Sequence, residues 1–296
     1  MNTASLSKFS KLTPRKLLGW GILLLGAGYG LQQLALLMQQ QDHVRYAFYA
    51  GMVAAAATAL GALPALFSRR LSARLHAAML GFGGGVMLAA SIFSLIVPAL
   101  ALFETTATTP WNGPLQVATA ILLGALLMLV LERSVPHEHF IKGAEGHQAL
   151  ALKRSWLFVI AIILHNIPEG LAIGVAYASG DAVGASALAT GISLQNVPEG
   201  FVVAMALLAA GYSRLVALSV GMLSGLVEPI MAVTGAIVMT NALLLPWGLA
   251  MAAGAMLFVI SHEMIPESHR QGHEMAATNG LMLGFVLMLV LDTALG

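Results

Sequence analysis

Two nearly identical heptapeptides, LHNIPEG at residues 164–170 and LQNVPEG at residues 194–200, lie in the middle of long apolar stretches. Each brings an acid, an amide and a proline into sequence that is otherwise typical of a buried helix. Residues three and four positions apart share one face of a helix. The imidazole of His165 and the amide of Asn166 therefore flank the carboxylate of Glu169, and the second heptapeptide repeats this polar face.

The composition predicts that both heptapeptides lie in a membrane. Hydrophobic residues make up 58% of the 296 residues and charged residues only 9%, whereas soluble domains contain about 25% charged residues. A helix needs about 20 apolar residues to cross a bilayer. Segments that meet or approach this length lie at about 17–38, 46–67, 77–103, 115–131, 156–178, 182–210, 215–240, 243–266 and 276–295. We therefore expect an all-α polytopic membrane protein in contact with the lipid bilayer, with no nucleic-acid partner.

The basic residues predict how these nine segments are oriented. Cytoplasmic loops of membrane proteins are enriched in Lys and Arg. If the N-terminus is inside, 13 of the 14 basic residues fall in the cytoplasm and only Arg45 falls outside. The C-terminus then lies outside. We interpret the first segment as an uncleaved accessory helix, because LALLMQQQD at residues 34–42 lacks the small residues of a signal-peptide cleavage site.

The placement of proline indicates an internal repeat among the other eight helices. GALPALF at 61–67 resembles GLVEPIM at 225–231, and SLIVPAL at 94–100 resembles HEMIPES at 262–268. These similarities relate three helices before the heptapeptides to three helices after them. Two copies of a three-helix unit enter the membrane from opposite sides, as in the inverted repeats of secondary transporters. The expected fold is a 3+2+3 eight-helix core with inverted repeats plus one extra N-terminal helix.

This fold divides the chain into five parts. They are the cytoplasmic N-terminus with the accessory helix (1–43), core helices one to three (44–133), a cytoplasmic loop (134–154), the two heptapeptide helices (155–211) and core helices six to eight (212–296). The loop carries His137, His139 and His147. Such a stretch is either a solvated linker or a weak metal-binding tether.

The repeated acids point to a metal ion. One charged side chain at the centre of a bilayer costs about 2.5–3.5 kcal/mol on insertion scales, and two facing carboxylates also repel each other. A divalent cation between Glu169 and Glu199 would remove both penalties. Imidazole and carboxylate ligands suit Zn²⁺ and also iron or manganese, and the absence of cysteine excludes thiolate ligands. The alternative is a polar packing motif that holds two helices together.

The motifs HNIPEG, QNVPEG and HEMIPES together resemble the ZIP (Zrt/Irt-like) family of divalent metal transporters, in its bacterial GufA-like branch. The resemblance covers residues 44–296. It implies a homodimer in the bacterial cytoplasmic (inner) membrane that admits Zn²⁺, or Cd²⁺, Fe²⁺ or Mn²⁺, to the cytoplasm. It also implies an elevator motion, in which core helices one, four, five and six move past the other four. A channel-like pathway is the rival mechanism.

The resemblance assigns roles to particular residues. It implies a first metal site formed by Met87, His165, Glu169, Gln195 and Glu199, a second site formed by Asn166, Asn196 and Glu228 with the two central glutamates bridging, and an exit relay of His262, Glu263, His269 and His273. Relatives that place Asp or His where this chain has Gln195 and Asn196 would hold a second ion more strongly.

An intramembrane zinc hydrolase is the alternative function. Such an enzyme would need HExxH, in which two histidines bind zinc beside a catalytic glutamate. The segment HEMIPE at residues 262–267 places Pro266 where the second histidine would stand. The sequence therefore favours a transporter, and no organic cofactor is expected.

Overall fold

The computed structural model describes residues 14–67, 72–105, 108–134, 147–270 and 272–295. Every secondary-structure element in this part of the chain is a helix. Most of the predicted cytoplasmic loop, with His137 and His139, lies outside the described residues. The helix after it begins at His147 rather than near residue 155.

The helices follow one another along the chain with short connections. They are α1 (Pro14–Gln40), α2 (Asp42–Ala62), α3 (Ala73–Ala90), α4 (Val97–Glu104), α5 (Asn112–Ser134), α6 (His147–Ala178), α7 (Ala182–Ala209), α8 (Arg214–Ser224), α9 (Val227–Val238), α10 (Leu245–Val259), α11 (Ile265–His269) and α12 (Glu274–Leu295). Among the described residues, 8 stretches are long and apolar enough to cross a membrane. The remaining predicted span, 156–178, lies within α6. The predicted all-α polytopic membrane fold is thereby confirmed. Helix α1 belongs to a separate compact unit that ends at Asp42.

A π-helical segment precedes a proline in each of the two predicted repeats. Ser91–Ile96 joins α3 to α4, where Pro98 is the second residue, and Ile260–Met264 joins α10 to α11, where Pro266 is the second residue. Proline lacks an N–H and displaces the carbonyl four residues earlier, which favours a locally widened turn. The two repeats therefore share a structural irregularity as well as a sequence pattern.

The π segments also make matching contacts. Aligning the two prolines pairs Ser94 with His262. The Ser94 hydroxyl donates to Asp292 Oδ1 of α12 at 2.5 Å, and His262 Nε2 lies 3.2 Å from Glu132 Oε1 of α5. In each case a residue of one repeat meets an acid near the end of the third helix of the other repeat. This correspondence agrees with the predicted internal symmetry.

Helix α3 crosses α12 at a pair of glycines, and α5 crosses α10 in the same way. A Cβ atom at Gly85 would overlap the carbonyl of Leu281, and one at Gly284 would overlap the carbonyl of Phe82. Each glycine faces the residue three positions before the partner glycine. Small residues of this kind let membrane helices approach closely. The second crossing has the same arrangement, with Gly124 against Met251 and Gly254 against Ile121.

The last residue of each heptapeptide is also a close-contact glycine. A Cβ atom at Gly170 of α6 would stand 2.5 Å from the carbonyl oxygen of Glu228 in α9. A Cβ atom at Gly200 of α7 would overlap the carbonyl of Thr58 in α2. The glutamates that precede these glycines are thereby placed against α9 and α2.

Candidate metal centre

Both heptapeptides form continuous helix around an internal proline. Pro168 lies inside α6 and Pro198 lies inside α7. Because proline has no N–H, the carbonyl groups of Leu164 and Leu194, four residues earlier, lose their helical donor. Each heptapeptide helix therefore carries, besides its polar side chains, a backbone carbonyl oxygen that lacks its helical hydrogen bond.

The predicted polar ligands are removed from solvent. Their exposed fractions are 3% for His165, 1% for Asn166, 0% for Glu169, 1% for Gln195, 0% for Asn196, 4% for Glu199 and 0% for Glu228. The carboxyl group of Glu199 lies within electrostatic reach of both Glu169 and Glu228. The nine apolar segments of the sequence contain no Lys or Arg. A buried carboxylate that stays ionised needs a paired charge or a metal ion, so a bound cation would stabilise the ionised form of this cluster.

Hydrogen bonds join the acids of α6 and α9 through two amides of α7. Gln195 Nε2 donates to Glu169 Oε1 and to Asn196 Oδ1, each at 2.7 Å. Asn196 Nδ2 in turn donates to Glu228 Oε2 at 2.7 Å. The amides thus lie between the acids. Within the described residues, no three His, Asp or Glu side chains are close enough together to hold one metal ion in this arrangement.

The carboxyl group of Glu228 has a donor on each oxygen. Asn196 binds Oε2, and the hydroxyl of Thr58 lies 3.3 Å from Oε1. The carbonyl of Ala54 lies 3.3 Å from the Thr58 hydroxyl and accepts from Asn196 Nδ2 at 3.3 Å. Since a hydroxyl has one proton, Thr58 donates to Glu228 or to Ala54 at any moment. The Glu228 side of the cluster is therefore satisfied by protein groups.

The opposite side of the cluster keeps polar atoms without partners. In the described part of the chain, the buried atoms here that make no hydrogen bond are both ring nitrogens of His165, Asn166 Oδ1, Glu169 Oε2, Gln195 Oε1 and Glu199 Oε1. More than about 90% of buried polar groups in folded proteins are hydrogen-bonded, so this concentration is unusual. Imidazole nitrogen and carboxylate oxygen are zinc ligands. A divalent cation that drew these side chains together would satisfy several of the atoms at once.

His165 links the cluster to the second helix of the second repeat. Its Nε2 atom lies 2.7 Å from Oε2 of Glu263, which belongs to the π segment before α11. The sequence had assigned His165 to the metal site and Glu263 to the exit relay. The structure places the two side chains in contact, so the predicted site and the predicted relay are continuous.

A pocket of about 220 Å³ opens beside this pair. The residues that line it are Leu80, His165, His262, Glu263, Met264, Pro266, Glu267 and Arg270. His262 and Glu263 of the predicted relay are therefore part of the pocket. His269 instead places Nδ1 2.9 Å from the carbonyl of Ile265 in its own helix, and His273 lies just before α12.

Met87 approaches the cluster from α3. A Cβ atom at Gly83 would stand 3.2 Å from Gln195 Oε1, which places this face of α3 against the polar residues of α7. Met87 follows one turn later on the same face and is 1% exposed. A thioether is a soft ligand, so its position suits an additional, weakly bound contact with a metal.

Three residues of the site were not predicted from the sequence. Thr58 lies in the alanine-rich stretch AAAATALG, where no pattern distinguishes it from a packing residue. Glu132 and Arg270 were considered only as loop or topology residues, although they contact His262 and Glu267. The spacing of Glu263, Glu267 and Arg270 along one helical face was the signal available for Arg270.

Known proteins are similar to this chain in sequence. The model of the family described as ZIP Zinc transporter matches residues 135–292. The chain is 50% identical over 263 residues to Zinc transporter ZIPB of Bordetella bronchiseptica, covering 88% of this chain and 85% of that protein. It is 48% identical over 248 residues to Zinc transporter GufA of Myxococcus xanthus, covering 83% and 98%. It is also 34% identical over 254 residues to Zinc transporter ZupT of Stenotrophomonas maltophilia, covering 82% and 93%.

Proposed function

Because the chain belongs to the ZIP family of zinc transporters, we propose that it admits Zn²⁺ to the bacterial cytoplasm through the polar cluster of α6, α7 and α9. The observation that carries this proposal is the set of buried, unpartnered ligand atoms between α6 and α7. A zinc transporter is not an enzyme, which removes the hydrolase alternative. Position 266, where HExxH needs its second histidine, is proline.

The test is metal flux into sealed vesicles that contain the purified protein. We expect zinc to accumulate inside, with Cd²⁺, Fe²⁺ and Mn²⁺ compared under the same conditions, with and without a pH gradient. Vesicles without protein provide the background. If none of the four metals enters faster than this background, the proposed function is wrong.

The two sides of the cluster have unequal roles in this proposal. The transported ion binds on the side where Glu169 Oε2 and Glu199 Oε1 lack partners. The Glu228 side is auxiliary, because Thr58 and Asn196 already satisfy that carboxyl group. An ion there would have to displace protein donors, and a neutral amide is a weak substitute for a charged ligand.

We expect Glu228→Ala to lower zinc uptake several-fold while leaving it well above that of Glu169→Ala. Glu228→Ala removes an acid whose oxygens already have protein donors. Glu169→Ala removes a carboxylate oxygen that is available to the ion. Initial rates in vesicles at equal protein content make the comparison, with Thr58→Val as a control that removes one donor without removing the acid. If Glu228→Ala and Glu169→Ala lose zinc uptake equally, the Glu228 side is not auxiliary.

The helix contacts support an elevator motion of α2, α6, α7, α8 and α9 against α3, α4, α5, α10, α11 and α12. Within each group the closest contacts join backbone to backbone, as at Gly85 and Gly200. Between the groups, glycines meet flexible side chains: Gly83 of α3 faces Gln195 of α7, and Gly191 of α7 faces the sulfur of Met288 in α12. Interfaces in which glycines meet flexible side chains permit the two groups of helices to slide past each other.

A disulfide between the two groups should therefore stop transport. The chain has no cysteine, so Gly191→Cys with Met288→Cys introduces a single pair. We expect oxidation to reduce uptake to background and a reductant to restore it. The control is Gly84→Cys with Met264→Cys, within one group, where the Cβ positions are 3.7 Å apart and suit a disulfide. Full transport by the oxidised first pair would favour the channel-like pathway.

The pocket provides a route by which zinc would be released. It connects His165 to Arg270, near the helix end that the distribution of basic residues assigns to the cytoplasm. His262 and Glu263 lie along this route, while His269 and His273 would act only outside the pocket. In this orientation the described arrangement is open toward the cytoplasm, and zinc bound near His165 would leave past Glu263.

A further inference from the structure

The two acids that line the pocket each have a basic partner. Glu263 Oε2 lies 2.7 Å from His165 Nε2, and Glu267 Oε1 lies 3.0 Å from Arg270 Nη2. The side chains of both acids are about one quarter exposed, at 24% and 23%. A cation that passes through the pocket must therefore meet two carboxylates that are already paired.

The two basic partners affect a metal ion in different ways. Neutral imidazole is itself a common metal ligand. Guanidinium stays charged in proteins and has no lone pair to offer. An ion that reaches Glu263 thus finds His165 as a second ligand, whereas an ion that reaches Glu267 must compete with the fixed positive charge of Arg270.

Fold stability does not explain the pair of Glu267 and Arg270. The side chain of Arg270 is 70% exposed, and exposed ion pairs contribute little to stability. Among the described residues that line the pocket, Arg270 is the one Lys or Arg side chain. The preference of basic residues for the cytoplasmic side accounts for a charge at this position, but it does not require a pair with Glu267.

The residues beside Arg270 are of the types that bind zinc. Glu263 and Glu267 are four positions apart, with His262 beside the first of them, and all three line the same pocket. Two free carboxylates one helical turn apart, with an imidazole next to them, are the ligand types of a zinc site. Such a site at the opening would retain the ion after it had left the buried cluster.

We propose that Arg270 is a release residue: by pairing with Glu267 it keeps this carboxylate from binding the departing zinc ion, so that the last acid on the route does not retain it. The direction of release rests on the proposed function. The suppression of a metal site at Glu267 does not, because it can be measured on the purified protein without transport.

The test compares five full-length proteins: wild type, Arg270→Gln, Glu267→Gln, Arg270→Gln with Glu267→Gln, and Arg270→Lys as the charge-matched control. Equilibrium dialysis in detergent against Zn²⁺ and Cd²⁺ counts the ions bound per chain, and vesicles report initial rates of zinc uptake. Arg270→Gln should bind one ion more than wild type and transport about tenfold more slowly. Adding Glu267→Gln should reverse both changes, and Arg270→Lys should behave like wild type.

The outcomes separate this inference from the proposed function. Unchanged ion number and rate in Arg270→Gln would overturn the inference, as would a defect that persists when Glu267 is also replaced. Glu267→Gln alone leaves Arg270 in place and should match wild type in both measurements, so a slow Glu267→Gln protein would also overturn it. If wild-type vesicles take up no metal, the proposed function fails, while the ion count still decides the role of Arg270.

Discussion

Replacing Glu169 by alanine should abolish zinc uptake into vesicles. The carboxyl group is 0% exposed, and while Oε1 accepts a hydrogen bond from Gln195 at 2.7 Å, Oε2 has no partner. Two unit charges 4 Å apart interact by about 4 kcal/mol at an effective dielectric constant of about 20. Zinc carries two charges, so loss of this one ligand charge weakens binding by at least about a thousandfold, before any loss of the second site that Glu169 would also serve.

The controls separate loss of the ligand from loss of the fold. Glu104→Ala removes an exposed acid at the end of α4 and should leave uptake unchanged. Glu169→Gln retains the shape of the side chain and an acceptor for Gln195, but it should also fail because the charge is missing. Size-exclusion profiles and thermal unfolding in detergent establish that each variant is folded. A folded Glu169→Ala protein with wild-type flux would refute the metal cluster.

Much of this fold can be predicted from the sequence because the protein lies in a membrane. A helix that crosses a bilayer must be long and apolar, so the spans, the short connections and the anomalous acids are visible without structural information. The repeat was predicted from Pro98 and Pro266 because proline leaves a structural trace wherever it stands in a helix. The π segments before both prolines are that trace. The early start of α6 at His147 was missed, because its first residues are polar although they favour helix.

The contacts between side chains of helices that are distant in sequence could not be predicted in this way. His165 was predicted to share a helical face with Glu169, one turn along its own helix, but the contact of its Nε2 atom with Glu263 of another helix was not predicted. Thr58 contacts Glu228 because α2 and α9 are neighbours, and local sequence patterns carry no information on helix crossings. The rotamers of buried polar residues depend on these crossings and on whether an ion is bound.

The second large effect is expected at Asn196, which links the two sides of the cluster. Asn196→Asp should raise the number of zinc ions bound per chain from one to two. In the wild-type protein the amide nitrogen donates to Glu228 Oε2 at 2.7 Å and to the Ala54 carbonyl at 3.3 Å. An ionised aspartate donates neither bond. Two carboxylates and a carbonyl would then converge with only Thr58 and Gln195 left to donate to them, as oxygen ligands do around a cation.

The same substitution should make folding depend on zinc. A buried acceptor left without its partner costs about 1–3 kcal/mol, and two facing carboxylates add their repulsion. We therefore expect zinc-free Asn196→Asp to unfold at a lower temperature than wild type and to regain the difference when zinc is added. Asn196→Leu is the matched control: it removes the donor without adding charge, so it should lose stability at every zinc concentration and bind no second ion. Metal analysis after dialysis and thermal unfolding across a zinc series measure both effects. If Asn196→Asp binds one ion and its stability does not respond to zinc, the hydrogen bonds around Glu228 do not occupy the place of a second metal.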